Sequence, residues 1–499
     1  MPAVILGFFL IAAKGQHQLA LLWLVATSLF FYGWWNPAYL ILLGGSISVN
    51  YAVGRALMTK RSKRLLVFGL AVNLGLIGFY KYADFFIGFI NQVSGSQVGA
   101  LGLALPLAIS FFTFQQIAYL VDVYRGKVDD RSFLRYVLFV TFFPQLIAGP
   151  IVHHSETMPQ FARKGIFRID WENFSVGGAI FIIGLYKKIV FADGMGIYAN
   201  VVFNAADAGG SPDLIVAWGG VLAYSLQIYF DFSGYSDMAI GLARLFGIRL
   251  PVNFNSPYKA VNISDFWQRW HMTLSRFLRD YLYFPLGGSR KGNPRRYANI
   301  MITMLLGGLW HGAGWNFIFW GGLHGVFITI NHGWRWLRRA WGQDTASSTM
   351  SGRAAARALT FIAVTITWVF FRAATWTGAL AMLDGMTGLN GVILPQGLAA
   401  LGLKTGSVAP FDTGGLVWLF VLLLVAWFTP NTQQWMGRYD PVLGPVEGVF
   451  GAAKQGGVTA ALAANQVIWM TPFFIISAFV GMLILIARSN APVFIYMIF

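Results

Sequence analysis

Residues 297–331 read YANIMITMLLGGLWHGAGWNFIFWGGLHGVFITIN. Two apolar runs, 297–311 and 315–331, are separated only by Gly312-Ala313-Gly314, and each reads as a membrane span. An ionisable side chain at the end of such a run is costly to keep in lipid, so His311 is expected to point into a bundle. Glycines on both sides of it let backbone or a ligand approach closely, and Trp310 and Trp315 are placed to wall a narrow pocket. The residues alone leave two readings open for His311, a functional imidazole or a helix-packing one.

Runs of the same kind recur outward in both directions. They fall at about 19–35, 37–57, 65–80, 99–120, 133–151, 174–191, 213–230, 357–373, 415–429 and 466–487, with shorter stretches at 3–12 and 82–95. The 499 residues are 57% apolar and 11% charged, with mean hydropathy +0.60. A soluble domain carries about 25% charge, so a soluble globular protein is excluded. The predicted fold is all-α: a single polytopic membrane domain over 1–499 with about 11 transmembrane helices plus re-entrant and interfacial segments. Gly, Pro and charge inside the runs, such as Pro106 and Lys187-Lys188, are expected to face protein or a water-filled cavity. The stretches 384–413 and 430–464, rich in Gly, Pro and Ala, read as extramembrane loops. No repeat of fixed period is visible, which weighs against a transporter built from repeats. Met1–Leu10 has no basic residue ahead of its apolar run, so a cleaved signal peptide is not expected.

Lys plus Arg number 36 against 19 Asp plus Glu, a net charge of +17. The excess sits in short clusters between runs: Lys60-Arg61-Ser62-Lys63-Arg64, Arg290-Lys291 with Arg295-Arg296, and Arg335 with Arg338-Arg339. Such clusters are retained on the cytoplasmic side against anionic lipid, so they report topology first and an anionic cytoplasmic substrate second. Nucleic acid is not an expected partner. The chain has no cysteine, which excludes disulfides, thiolate metal sites and an acyl group carried on the protein's own sulfur.

The segment 231–296 turns polar and aromatic without low complexity, so its environment is something other than lipid. Asn262 is a good N-cap, and the spacing predicts a helix over 263–284 ended by Pro285-Leu286-Gly287-Gly288. Asp265, Arg269, Arg276 and Asp280 share one side, with i,i+4 pairs at 265/269 and 276/280. Trp267, His271, Leu274, Ser275, Leu278 and Leu282 share the other. His271 is either a core histidine satisfied by a carbonyl or a functional group. His324 follows His311 by 13 residues, a rotation of about 220° on one unbroken helix, and is expected to pack or orient. His332 and His17 have no pattern beyond interface placement. Gln115, Gln116, Asp122 and Tyr124, and Gln227, Tyr229, Asp231, Ser233, Tyr235 and Asp237, are expected mainly to satisfy one another and to imply a polar cavity. No histidine pair has metal-ligand spacing, and His153-His154 diverge on a helix, so no metal site is expected.

The blocks NFNSPYKAVNISDFWQRWHMTLSRFLRDYLYFPLGGSRKG and TMLLGGLWHGAGWNFIFWGGLHG, with SFFTFQQIAYLVDVYRG and FPQLIAGPIVHHSETMPQF upstream, resemble the membrane-bound O-acyltransferases. The likeness runs over roughly 25–335, most closely to the branch that O-acetylates alginate and related exopolysaccharides. It implies helices around a funnel or tunnel in a bacterial inner membrane, with 231–335 as the catalytic core segment. It implies His311 as the catalytic residue and His271 as a second catalytic position. Trp310, Trp315, Asn316, Trp267, Ser275 and Arg279 are the expected substrate contacts. It also implies no tightly bound cofactor and a cytoplasmic thioester donor, acetyl-CoA or an acyl carrier protein. Arg290, Lys291, Arg295 and Arg296 would take the donor's phosphates. The acceptor is a hydroxyl of an extracytoplasmic polysaccharide or of a partner acetyltransferase protein. D-alanyl transfer from a carrier protein, a transporter or flippase using the same cavity, and a scaffold subunit are the competing readings.

Overall fold

The computed structural model describes residues 1–34, 36–343, 349–395, 405–406 and 410–444. Among them the regular structure is helical apart from one two-residue parallel pairing, Leu394–Pro395 with Thr405–Gly406, inside the expected loop 384–413, and an isolated bridge between Pro251 and Leu443. Among the described residues five helices are long and apolar enough to cross a membrane: Ala38–Thr59, Lys63–Ser94, Trp171–Asp207, Leu214–Leu245 and Met350–Arg372. Pro2–Ala13 and Thr413–Phe428 are shorter apolar helices, and the pair read from 297–331 is present as Gly292–His311 and Trp315–Ala340. The expected span 466–487 and most of the loop 430–464 lie outside the described residues.

Several runs are reshaped by their own residues. The stretches 65–80 and 82–95 form one continuous helix that passes a π turn at Gly78–Tyr82. The run 99–120 is helical only from Ile109, because Gly102 at φ +62, Pro106 and Ala108 at φ 60 hold the preceding chain out of the helical well. The run 133–151 is broken at Phe142 into Phe133–Thr141 and the single turn Phe143–Leu146. Pro144 lacks an N–H and its ring would strike the carbonyl of Val140, so one helix cannot pass through. The run 213–230 instead continues to Leu245, carrying the polar sequence DFSGYSD into protein; 72% of this helix's apolar window is buried.

Two compact units are built from these helices. The first comprises Met1–Ile183, Tyr235–Val252 and the described residues from 432 to 444. Some of its buried polar groups answer one another, whereas Gln115 Oε1 meets no donor among the described residues. Gln116 donates to Ser46 Oγ at 3.0 Å and accepts from Tyr136 at 3.2 Å, and Asp237 accepts from Thr432 at 2.6 Å and from Gln433 at 2.8 Å. Asp122 lies 3.8 Å from Lys127 and 3.6 Å from His153.

The second unit, Gly184–Gly234 with the described residues of 253–431, holds both histidine motifs. Its core is aromatic, with Trp270, Trp320 and Trp368 fully buried and in mutual ring contact at 5.0 Å for 270/368 and 5.7 Å for 320/368. Gly292–His311 and Trp315–Ala340 cross at Gly308 and Gly321, where a Cβ on either would overlap backbone of the other helix. Between helices in lipid the attraction is mostly close van der Waals packing, which small residues permit. That crossing lies one turn before His311 and fixes where its ring can go.

Candidate active site

The expected unbroken helix over 263–284 is not formed. Asn262 caps it as predicted, accepting from Asp265 N at 3.0 Å, and Arg269 pairs with Asp265 at 2.6 Å. The helix stops at Trp267, and a second one, Met272–Leu278, begins after a turn that ends on His271 at φ 42, ψ 52. A left-handed non-glycine residue costs about 1–3 kcal/mol, with Asn, Asp and His the side chains that best tolerate it. What over-determines it is pairing to the segment before: Asn255 N donates to Arg269 O and Met272 N to Asn253 O, both at 2.9 Å. Asn331 ties this turn to Trp315–Ala340 through Ser264 Oγ at 3.0 Å.

Asn253 also sets the chemistry of the ring. Its Oδ1 accepts from Thr273 N at 3.4 Å and Thr273 Oγ1 at 2.9 Å, and lies 3.0 Å from His271 Nδ1. A backbone N–H only donates, so the Asn253 atom facing it is oxygen, and the imidazole nitrogen facing that oxygen carries the proton. The lone pair of neutral His271 is therefore on Nε2. The ring is fully buried, edge-on to Phe232 at 4.7 Å and stacked on Phe254 at 6.4 Å.

His311 closes the helix Gly292–His311 and is 2% exposed. Its ring meets Trp310, Trp320 and Phe371 at 4.8, 5.1 and 5.2 Å, each edge-on. Gly312 is extended, at φ −162, a conformation open to any residue; its small size matters because Phe317 packs where a Cβ would sit. Trp310 touches His271 as well, at 6.0 Å, so one indole is shared by two imidazoles that are 40 residues apart in sequence.

The other expected residues divide. Trp267 donates to His324 Nδ1 at 3.3 Å; His324 Nε2–H then donates to Thr367 Oγ1 at 3.0 Å, and the Thr367 hydroxyl to Val364 O at 2.7 Å. His324 is thus satisfied on both nitrogens and packs, the role expected of it. Ser275 Oγ donates to Trp270 O at 3.4 Å, inside the broken turn. Arg279 is exposed and bound to Asp280 at 2.7 Å, whose carboxylate holds the guanidinium above its ordinary pKa. Arg290, Lys291 and Arg295 are exposed at the far end of the His311 helix, and Arg296 contacts His332 at 3.2 Å. Counting about 1.5 Å per residue, Arg295 lies about 24 Å along the axis from His311.

Trp315 and Asn316 line a cavity of about 1160 Å³ together with Lys188, Asn200, Phe371 and Arg372. Phe371 is both cavity wall and neighbour of His311. Asn316 Nδ2 donates to Ala373 O at 2.9 Å. Lys188, one of the two lysines expected to avoid lipid, is buried and paired with Asp193 at 2.6 Å and Asp231 at 2.7 Å. Sequence reasoning did not single out Asn253, Phe371 or Arg372. Asn253 stands inside the motif block without local period, and the other two end the apolar run 357–373, which carries no motif of its own. Among the described residues no group of three His, Asp or Glu side chains is placed to hold a metal.

The family described as membrane-bound O-acyltransferase matches residues 123–373, a range containing both histidines, Asn253 and Arg372. The peptidoglycan O-acetyltransferase of Helicobacter pylori is 47% identical over 425 residues, 79% of each chain. The probable alginate O-acetylase of Pseudomonas aeruginosa is 39% identical over 393 residues, 77% of this chain and 72% of that one. The teichoic acid D-alanyltransferase of Lacticaseibacillus rhamnosus is 30% identical over 286 residues, 54% of this chain and 67% of that one.

Proposed function

The chain belongs to the membrane-bound O-acyltransferase family, and from that premise we propose that it moves an acetyl group from a cytoplasmic thioester to a hydroxyl on the outer side of a bacterial inner membrane. The acceptor is a cell-surface polysaccharide, reached directly or through a partner protein whose own hydroxyl is acetylated first. The observation that carries this reading is the buried pair His271 and His311 around Trp310, with Phe371 between His311 and an open cavity.

In the transfer, His311 takes the proton of the acceptor hydroxyl as its oxygen attacks the thioester carbonyl carbon. The carbon–sulfur bond then breaks, and the thiolate leaves and is reprotonated. General-base assistance of this kind contributes about 10²–10⁴-fold. Neutral His271 presents a lone pair on Nε2, so it cannot donate to the thioester carbonyl; its role is to relay the proton. Acetyl-CoA is the donor we favour. Its phosphates suit the exposed Arg290, Lys291 and Arg295.

Mass spectrometry of surface polysaccharide from cells carrying wild type, His311→Ala or His271→Ala tests the reading. We expect acetyl content to fall to background in both variants with the protein still folded in the membrane. Unchanged acetylation in both overturns the assignment and favours passage of a solute through the same cavity.

A further inference from the structure

The cavity beside Phe371 holds one cation that the protein does not neutralise. Arg372 Nη2 donates to Asn200 Oδ1 at 2.9 Å and Asn204 Oδ1 at 3.3 Å, and its guanidinium carbon lies 5.4 Å from the Phe203 ring centre. Among the described residues no carboxylate is within ion-pair distance of it. Asp207, one turn beyond Asn204, is spent elsewhere: it accepts from Ala374 N at 3.0 Å and from Thr375 N and Oγ1 at 2.9 Å. The remaining charges on the lining, Lys188 and Asp193, bind each other at 2.6 Å, and Lys188 also binds Asp231, which is off the lining, at 2.7 Å. Arg372 is thus aligned by two neutral amides and one aromatic face, with guanidinium N–H groups left to donate.

Two further features describe the ligand. Gln227 also lines the cavity, is 6% exposed, and its side-chain amide makes no hydrogen bond among the described residues. A buried amide left unbonded costs about 1–3 kcal/mol, a cost that a ligand hydroxyl, able both to donate and to accept, removes. Trp315 and Trp376 stand exposed on the same lining, with broad apolar faces and one polar edge each. A planar anion for Arg372, a hydroxyl for the Gln227 amide and a flat C–H face for the indoles are the three parts of an acidic sugar. A donor phosphate is the weaker match, because the exposed basic cluster suited to it is at the opposite end of the His311 helix.

We propose that this cavity is an acceptor subsite for an acidic sugar residue, in which Arg372 binds the sugar carboxylate and the Gln227 amide bonds a ring hydroxyl. The assignment rests on reading the protein as an acetyltransferase whose acceptor enters here.

The test uses the full-length protein in lipid nanodiscs and two probes, an oligosaccharide of six uronic-acid residues and the same oligosaccharide with its carboxyls reduced to alcohols. Wild type is expected to bind the acidic probe at least about tenfold more tightly, the scale of one charge-assisted bidentate contact. Arg372→Gln abolishes that preference, Arg372→Lys keeps part of it, and Gln227→Leu weakens both probes alike. Equal or absent binding of the two probes by wild type, or a preference that survives Arg372→Gln, overturns the proposal. So does Arg372-dependent binding of an acidic peptide without binding of the sugar, which points to a protein acceptor. Release of free CoA from acetyl-CoA is measured in parallel. If wild type releases it and His311→Ala does not, a lost sugar preference refutes the subsite alone; if wild type releases none, the acetyltransferase reading falls and the subsite with it.

Discussion

Asn253 is a single amide whose consequence is large, because it decides which nitrogen of a fully buried imidazole holds a proton. An orienting partner of this kind touches no substrate; it acts through His271, as a positioning residue. Asn253→Leu removes the acceptor for Nδ1–H at similar volume, freeing the ring to turn or to change tautomer. The expected outcome is a fall in kcat of about 10²-fold or more with KM for the thioester nearly unchanged. Steady-state kinetics on folded protein checks it, and an equal loss in folded fraction with kcat intact assigns Asn253 to packing alone. The two histidines were legible in the sequence because an ionisable ring in an apolar setting is costly and therefore conspicuous. Asn253 was not, since its bond to His271 crosses 18 residues and follows neither a helical nor a strand period.

Among the elements, the hairpin Gly292–His311 and Trp315–Ala340 was readable from its two apolar runs, and so was the cap at Asn262. The break at His271 was not. The 263–284 pattern is consistently amphipathic, and only the backbone bonds to Asn253 and Asn255 outweigh it. The run 133–151 carried its own warning in Pro144, which a count of apolar residues passes over. The hairpin itself yields a sharp comparison between adjacent glycines. A Cβ on Gly308 overlaps the Phe317 carbonyl, whereas on Gly307 it meets only Leu278 Cδ1, at 3.3 Å. Gly308→Ala must therefore push the two helices apart, at a cost of about 1–3 kcal/mol, and displaces His311 one turn on. Its melting temperature and acetyl transfer are expected to drop together, while Gly307→Ala keeps both near wild type. Equal behaviour of the two variants in thermal unfolding rules out the close crossing as the element that sets the ring.

For the whole molecule, charge and helix direction together orient the second unit. Contacts 319/370, 320/368 and 324/367 show that Met350–Arg372 runs antiparallel to Trp315–Ala340. Arg290 to Arg296, Arg335 to Arg339, and Arg353 with Arg357 therefore lie toward one end of these three helices, and the cavity lined by Trp315, Arg372 and Trp376 toward the other. Positive clusters stay in the cytoplasm, so the basic end is expected on the cytoplasmic side and the cavity on the outer side. Arg372 runs against that bias, which a ligand carboxylate accounts for. The absence of any cysteine makes the orientation directly measurable, because a single introduced thiol has no background. In spheroplasts, Ala374→Cys is expected to react with a membrane-impermeant maleimide at once, and Lys291→Cys only after the membrane is permeabilised. The reverse pattern places the cavity in the cytoplasm, where no extracytoplasmic sugar can enter it, and the route proposed for the acceptor falls.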